Sequence, residues 1–141
     1  MAQTCALVRT RLDAAAVSVH GTPAERPRLA HAGTDRCDVR GLVARVLDSG
    51  LAVTPHRTAG GIDAAVPIRF SGQVRGVVAC RWTADGRLDG HEAEVLLAGA
   101  ATALAPHVYA LVDADTRDRR ATADTLGLLG SSTAMTALRD R

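Results

Sequence analysis

The residues able to hold a metal or attack a substrate are few and scattered. Five histidines stand at His20, His31, His56, His91 and His107, and three cysteines at Cys5, Cys37 and Cys80. A zinc or iron site needs three or four ligands converging in space, and none of the spacings HxxH, HExxH or CxxC occurs. His31 and Cys37 come nearest to a pair, across the corner between a strand and a helix. Cys37 stands just before Asp38, at the start of a helical pattern, where the helix dipole lowers a thiol pKa and favours oxidation. Cys80 lies within an apolar run, where a cysteine behaves as a small buried hydrophobe. Asp13, Asp63, Glu92 and Glu94 form no catalytic pair, because Glu92 and Glu94 are two positions apart on a helix and face apart. There is no GxSxG turn for a nucleophilic serine. There is no GxxxxGK[ST] loop, and all 17 basic residues are Arg, so the phosphate-binding lysine of that loop has no counterpart. The expectation is a protein that is not an enzyme, with no metal site and no cofactor named by its sequence.

Composition narrows the partners. The 141 residues suit one domain with a core. A net charge of +2 is too small to mark a nucleic-acid binder, and the three aromatics Phe70, Trp82 and Tyr109 cannot make a base-stacking platform. The N-terminus carries no secretory pattern, and no apolar run approaches the roughly 18 residues of a membrane span. With an odd number of cysteines and no disulfide framework, the expectation is a cytoplasmic protein that contacts neither membrane nor nucleic acid directly.

Periodicity supplies the elements. Residues 2–12 read as a short helix and 14–20 as a strand, with Val17 and Val19 on one face and Ser18 and His20 on the other. Gly21, Pro23 and Pro27 mark a loop, and residues 28–32 a second strand forming a hairpin with the first. Asp38 is placed to cap a helix running to Ser49, with Leu42, Val43, Val46 and Leu47 as its apolar stripe and Gly50 at its end. Residues 51–54 read as a brief strand stopped by Pro55, and 57–61 as loop. Residues 62–70 and 73–83 are the strongest strands, joined by a turn at Ser71-Gly72. Along the second of them Val74, Gly76, Val78, Cys80 and Trp82 point one way, and Arg75, Val77, Ala79 and Arg81 the other. Asp89, with Glu92 three residues on, has the form of a capping box and opens a helix from Gly90 to at least Val112. On that helix Leu97, Ala101, Leu104, Val108 and Leu111 follow 4-3-4-3 spacing, which fits either a dimer seam or packing on the chain's own sheet. Pro106 is expected to bend it. The order implies an α+β fold, an antiparallel sheet of about five strands with the N- and C-terminal helices on one face.

The stretch from Ala65 to Val108, AVPIRF-SG-QVRGVVACRW and then DGHEAEVLLAGAATALAPHV, resembles the GAF sensory domains. Val66-Pro67-Ile68 and Gly76-Val77-Val78 hold the positions of that family's strand patterns. Leu128 to Arg141, LLGSSTAMTALRDR, resembles the segment that opens the ATPase domain of sigma-54-dependent enhancer-binding activators, with Leu129, Gly130, Ser132, Met135 and Leu138 matching and Thr133 departing from a common Pro. Together these resemblances imply a GAF-like sensory domain at 2–112, a helical linker at 113–127 and the start of an ATPase domain at 128–141 that continues beyond Arg141. They imply a ligand pocket on the sheet face away from the terminal helices, with Cys37, Arg40, His56, Arg69 and Cys80 as its expected residues. They imply an unknown small-molecule effector, and a homodimer with Leu97, Leu104, Val108 and Leu111 on a helix that both dimerises and signals to the ATPase. The alternatives are an interaction module without ligand, a redox or haem sensor, or a methionine-sulfoxide-reductase-type GAF protein.

Overall fold

The protein is described by a computed structural model over residues 1–34 and 38–139, with side chains as far as 127. It divides into two compact units, Met1–Tyr109 and Ala110–Arg141. The expected site residue Cys37 lies outside the described residues, as do the side chains of the segment from Leu128 to Arg141.

The first unit is built on an antiparallel sheet of five strands: β1 (Ala16–Gly21), β2 (Ala30–Gly33), β3 (Val53–Thr58), β4 (Gly61–Phe70) and β5 (Gln73–Trp82). Their order across the sheet is β2-β1-β5-β4-β3, so the longest hairpin, β4–β5, places β5 at the centre. The turn of that hairpin is Ser71-Gly72, with φ of 50° and 78°, the positive pair that matches a two-residue turn to the twist of its strands. Three helices complete the chain: α1 (Ala2–Arg11), α2 (Arg40–Ser49) and α3 (Gly90–Arg139).

Strand parity divides the core. Val17 lies opposite Cys80, Val19 opposite Val78, and Val78 opposite Val66. This face carries α1 and the start of α3. Trp82, fully buried, donates its indole N–H to the carbonyl of Leu12 at the end of α1, at 2.9 Å. Gly76 lets α3 approach, since a Cβ there would stand 3.0 Å from Val108 and 2.3 Å from the His20 carbonyl. On the opposite face lies α2, whose Val43 and Val46 pack with Val39 on Ala65, Val77 and Ala79. This is the α+β arrangement expected from the order of the elements.

Several boundaries differ from the sequence reading. Pro55 does not stop β3, which runs on to Thr58 and takes in the first two residues of the expected loop. β3 is an edge strand paired only with β4, and its register slips between Val53 and His56, so a missing N–H at Pro55 is tolerated. In β5 the alternation fails at Arg75. Ile68 pairs with Gly76 but Arg69 with Val74, which leaves Arg75 as the extra residue of a bulge. Its guanidinium therefore lies over the ring of Tyr109 on α3, at 5.4 Å from the centroid, rather than on the α2 side. At α2 the capping position is Val39, and Asp38 instead accepts the backbone N–H of Arg40 at 3.1 Å. Gly50 ends α2 in the left-handed conformation, φ 67°, as expected. Asp89 caps α3 by accepting the N–H groups of His91 and Glu92.

Helix α3 is longer than its apolar pattern required, and Pro106 lies inside it. Contrary to the reading of its composition, Gly90–Gly127 contains a window of mean hydropathy 1.7, apolar and long enough to cross a membrane by those criteria. Its apolar residues Ala93, Leu97, Ala100, Ala101, Leu104, Ala105 and Val108 are buried in the first unit. Within the second unit, ion pairs one turn apart run from Asp113 to Arg117 and from Asp115 to Arg119.

Trp82→Phe should lower stability by about 2–3 kcal/mol, because it leaves the Leu12 carbonyl buried without its donor and opens a void. Urea unfolding measures this, and a change below about 0.5 kcal/mol would mean that the indole does not anchor α1.

Candidate functional site

The two sheet faces differ in polarity. Ser18, His20 and Asp63 are the buried polar residues among those described, and all three point toward α2. Ser18 lies opposite Ala79 and His20 opposite Val77, both under α2, so the polar parity of β1 is carried inside the protein rather than into water.

Beside α2 a cavity of about 670 Å³ opens. His20 forms its wall on the sheet, Ala24 to Arg28 of the β1–β2 connection cover one side, and Asp38 to Arg40 with Ala44 form the other. A shallower cavity of about 580 Å³ adjoins it, between Thr22 to Ala24 and the later turns of α2. On the far side of α2 a smaller space of about 240 Å³ lies between Asp38, Arg45, His56, Thr58 and Asp63.

His20 is the most constrained of these groups. Its Nε2 lies 2.9 Å from the Ser18 hydroxyl, and the residue is 5% exposed. Burial, and to a smaller degree the charge of Arg28, push its pKa down to about 4, so the imidazole is neutral at physiological pH. Asp38 is exposed and stays ionised, its pKa lowered by the Arg40 backbone N–H and then by the Arg40 side chain, whose Nε lies 3.3 Å away. On the β4–β5 side, Arg81 holds Asp63 through two parallel bonds of 2.5 and 2.7 Å, a bidentate pair with both side chains largely buried. It closes the sheet between the small cavity and Gly60, where a Cβ would meet the guanidinium at 3.0 Å. No group of three His, Cys, Asp or Glu among the described residues converges to hold a metal ion.

The residues expected from sequence are not gathered at one place. Arg40 borders the large cavity and His56 the small one. Arg69 lies at the opposite end of α2, where its Nη2 donates to the Gly50 carbonyl at 2.5 Å. Cys80 is buried on the other face of the sheet, in the parity of Val78 and Trp82. Cys5 is buried in α1, and burial raises its thiol pKa. Leu97, Leu104 and Val108 are buried within the first unit, whereas Leu111 is 43% exposed. Sequence reading passed over His20, Arg26 and Arg28 as site residues. The available signal was the Ser18/His20 parity, which becomes informative once β1 is seen to be covered on both faces.

No protein-family model and no curated protein sequence matches the chain. Solved structures do match in shape. The GAF domain from an Acinetobacter phosphoenolpyruvate-protein phosphotransferase superposes with a TM-score of 0.61 at 17% identity, over 78% of this chain and 80% of that one. The GAF-B domain of DevS from Mycobacterium smegmatis gives 0.60 at 18% identity, over 82% and 94%. A type II free methionine-R-sulfoxide reductase from Thermoplasma acidophilum gives 0.62 at 18% identity, over 77% and 89%. The sheet order, the placement of the helices and these likenesses define the chain as having the GAF fold.

Because His20 is neutral when folded and titrates near 6.5 when unfolded, its contribution to stability is complete above 6.5 and is lost as pH falls toward about 4. The loss should approach about 3 kcal/mol. Urea unfolding at pH 7.5, 5.5 and 4 should show a flatter pH dependence in His20→Gln by that amount, and parallel curves for the two proteins would contradict the burial of a neutral imidazole.

Proposed function

We propose that the chain is a regulatory domain that senses a small molecule in the cavity between β1, the β1–β2 connection and α2. The observation that carries the reading is the cavity itself, about 670 Å³ on the α2 side of a GAF-type sheet, lined by apolar and polar residues together. The reading is supported by the GAF domains among its structural neighbours, those of DevS and of a phosphoenolpyruvate-protein phosphotransferase.

A contiguous set of contacts leads from the cavity to α3. Thr22, which opens the β1–β2 connection, donates its N–H to the Arg75 carbonyl at 3.2 Å. The Arg75 guanidinium rests on Tyr109 of α3, and Tyr109 stacks on Phe70 with centroids 4.3 Å apart. A ligand that favours one arrangement of the connection would shift the population of arrangements at Tyr109. In the fuller form of the proposal α3 passes this bias to the ATPase domain of a sigma-54-dependent activator, a context supported by the likeness of residues 128–141 to the opening segment of such domains. That form requires a GxxxxGK[ST] loop in the polypeptide carrying this domain, so a full-length gene product lacking one would remove the activator context and leave the sensory domain.

A second reading is a thiol-dependent reductase of free methionine sulfoxide, favoured by the likeness to the Thermoplasma acidophilum enzyme. Cys80 lies on the sheet face opposite the cavity and Cys5 is buried in α1, so this chemistry would fall to Cys37, next in sequence to the cavity residue Asp38.

One experiment separates these readings. A fragment library, including methionine sulfoxide with dithiothreitol, is screened by amide chemical shifts against the parent protein and Ala44→Trp, in which an indole fills the cavity wall. Binders should shift the amides of Ala24, Val39 and Ala44 in the parent and lose at least tenfold in affinity in the variant, about 1.4 kcal/mol or more. Binding should also change hydrogen exchange at Tyr109, and less so in Arg75→Met. Consumption of methionine sulfoxide that disappears in Cys37→Ser would replace the sensor with the reductase. Absence of any binder would favour a domain that acts only by interaction with other proteins.

A further inference from the structure

The two larger cavities beside α2 are lobes of one trough. Ala24 of the β1–β2 connection and Ala44 of α2 line both of them. The first lobe lies against the opening turns of α2, from Arg40, and the second against its later turns, to Asp48. At 1.5 Å per helical residue these positions are about 12 Å apart, so the trough follows the helix axis for roughly that length. The lobes differ in character. The first holds polar groups: His20, whose Nε2 lies 2.9 Å from the Ser18 hydroxyl, and Asp38 and Arg40, which bond to one another. Pro23 and Leu47 join the two alanines and Thr22 in the second, with Arg45 and Asp48 on the exposed side of the helix. Where the lobes meet, the residues common to both are alanines, whose single methyl groups add little bulk to the junction.

Resting on the sensory reading of the first lobe, we infer that the ligand is an elongated molecule, with a polar head beside His20 and Asp38 and an aliphatic chain that passes between Ala24 and Ala44 into the second lobe. A compact ligand fills the first lobe and leaves the apolar surface of Pro23 and Leu47 in water, whereas a chain covers it. The second lobe is shallow, so each methylene is buried on part of its surface and strengthens binding about twofold to threefold, against about fourfold for full burial. A single-bonded chain bends to follow the junction, which a rigid ring system of the same length does not. The far end of the chain reaches Thr22, whose N–H is bonded to the Arg75 carbonyl at 3.2 Å. That carbonyl belongs to the residue whose guanidinium rests on Tyr109. The head is therefore recognised in one lobe, and the length of the chain is read in the other, at the contact that leads to α3.

A homologous series with one neutral polar head tests this: N-butanoyl-, N-hexanoyl- and N-decanoylethanolamine, with N-naphthoylethanolamine as the rigid companion. The butanoyl probe should shift the amides of Ala24 and Val39, and the decanoyl probe those of Leu47 and Asp48 as well. Decanoyl should bind at least about tenfold more tightly than butanoyl and than naphthoyl. Ala44→Leu, which narrows the junction, and Leu47→Asp, which makes the second lobe polar, should each weaken decanoyl binding about fivefold or more and leave butanoyl within about twofold. Hydrogen exchange at Tyr109 should respond to the decanoyl probe and not to the butanoyl one. Ala44 is exposed, so its variant remains informative if Leu47→Asp fails to fold. Affinity that does not rise with chain length, a rise that survives the substitutions, a naphthoyl probe as tight as decanoyl, equal exchange at Tyr109 with short and long chains, or no binding of any probe each overturns the inference. Fragments of another shape that still shift Ala24 and Ala44 in the screen above would then leave the sensory reading standing, with a compact ligand in the first lobe.

Discussion

One helix cannot cover a five-stranded sheet, and the rest of the molecule follows from how that deficit is arranged. Adjacent strands lie about 4.8 Å apart, so the sheet is roughly 20 Å across, while a helix with its side chains is about 10 Å wide. On one face α1 and the start of α3 share the load and the core is closed. On the other, α2 packs over Ala65, Val77 and Ala79, and among the described residues no second helix shares this face. The large cavities lie toward β1 and the small one toward β3 and β4, on the two sides of α2.

Side-chain size reinforces this asymmetry. All three aromatic rings of the chain serve the face with two helices. Trp82 bonds to the end of α1, and Phe70 and Tyr109 stack between the β4–β5 hairpin and α3. The α2 face is built of valine and alanine, which pack closely beneath the helix but do not reach past it. Polar groups complete what the apolar residues leave open. The bidentate Arg81–Asp63 pair satisfies itself within the sheet and behaves as structure. His20 has the Ser18 hydroxyl as a partner and lines the large cavity.

Local irregularities link the two faces. The bulge at Arg75 moves a cation from the α2 side to the ring of Tyr109, while the carbonyl of the same residue holds the beginning of the β1–β2 connection. A single residue thereby touches the cover of the cavity and the helix that continues to Arg139. A regular strand would have pointed this side chain back under α2 and removed that connection.

The sequence by itself determined the order and type of the elements. Period-2 and period-3.6 patterns, the Ser71-Gly72 turn, Gly50 after α2 and the Asp89 cap are local signals, because backbone sterics and hydrogen bonds within a few residues decide them. The α+β class and the division of the sheet into two faces follow from that order. The sequence did not reveal that Pro55 is harmless, which depends on β3 lying at an edge, nor that Arg75 turns to α3, which depends on a register slip between two strands. It also dispersed the site, spreading attention over Arg40, His56, Arg69 and Cys80, which the structure distributes between two cavities, the far end of α2 and the opposite face. Tertiary structure alone gathered His20, Arg26 and Arg28 around one space. The reason is physical: a cavity is what packing leaves unfilled, and no residue's type or spacing records the atoms that fail to reach it.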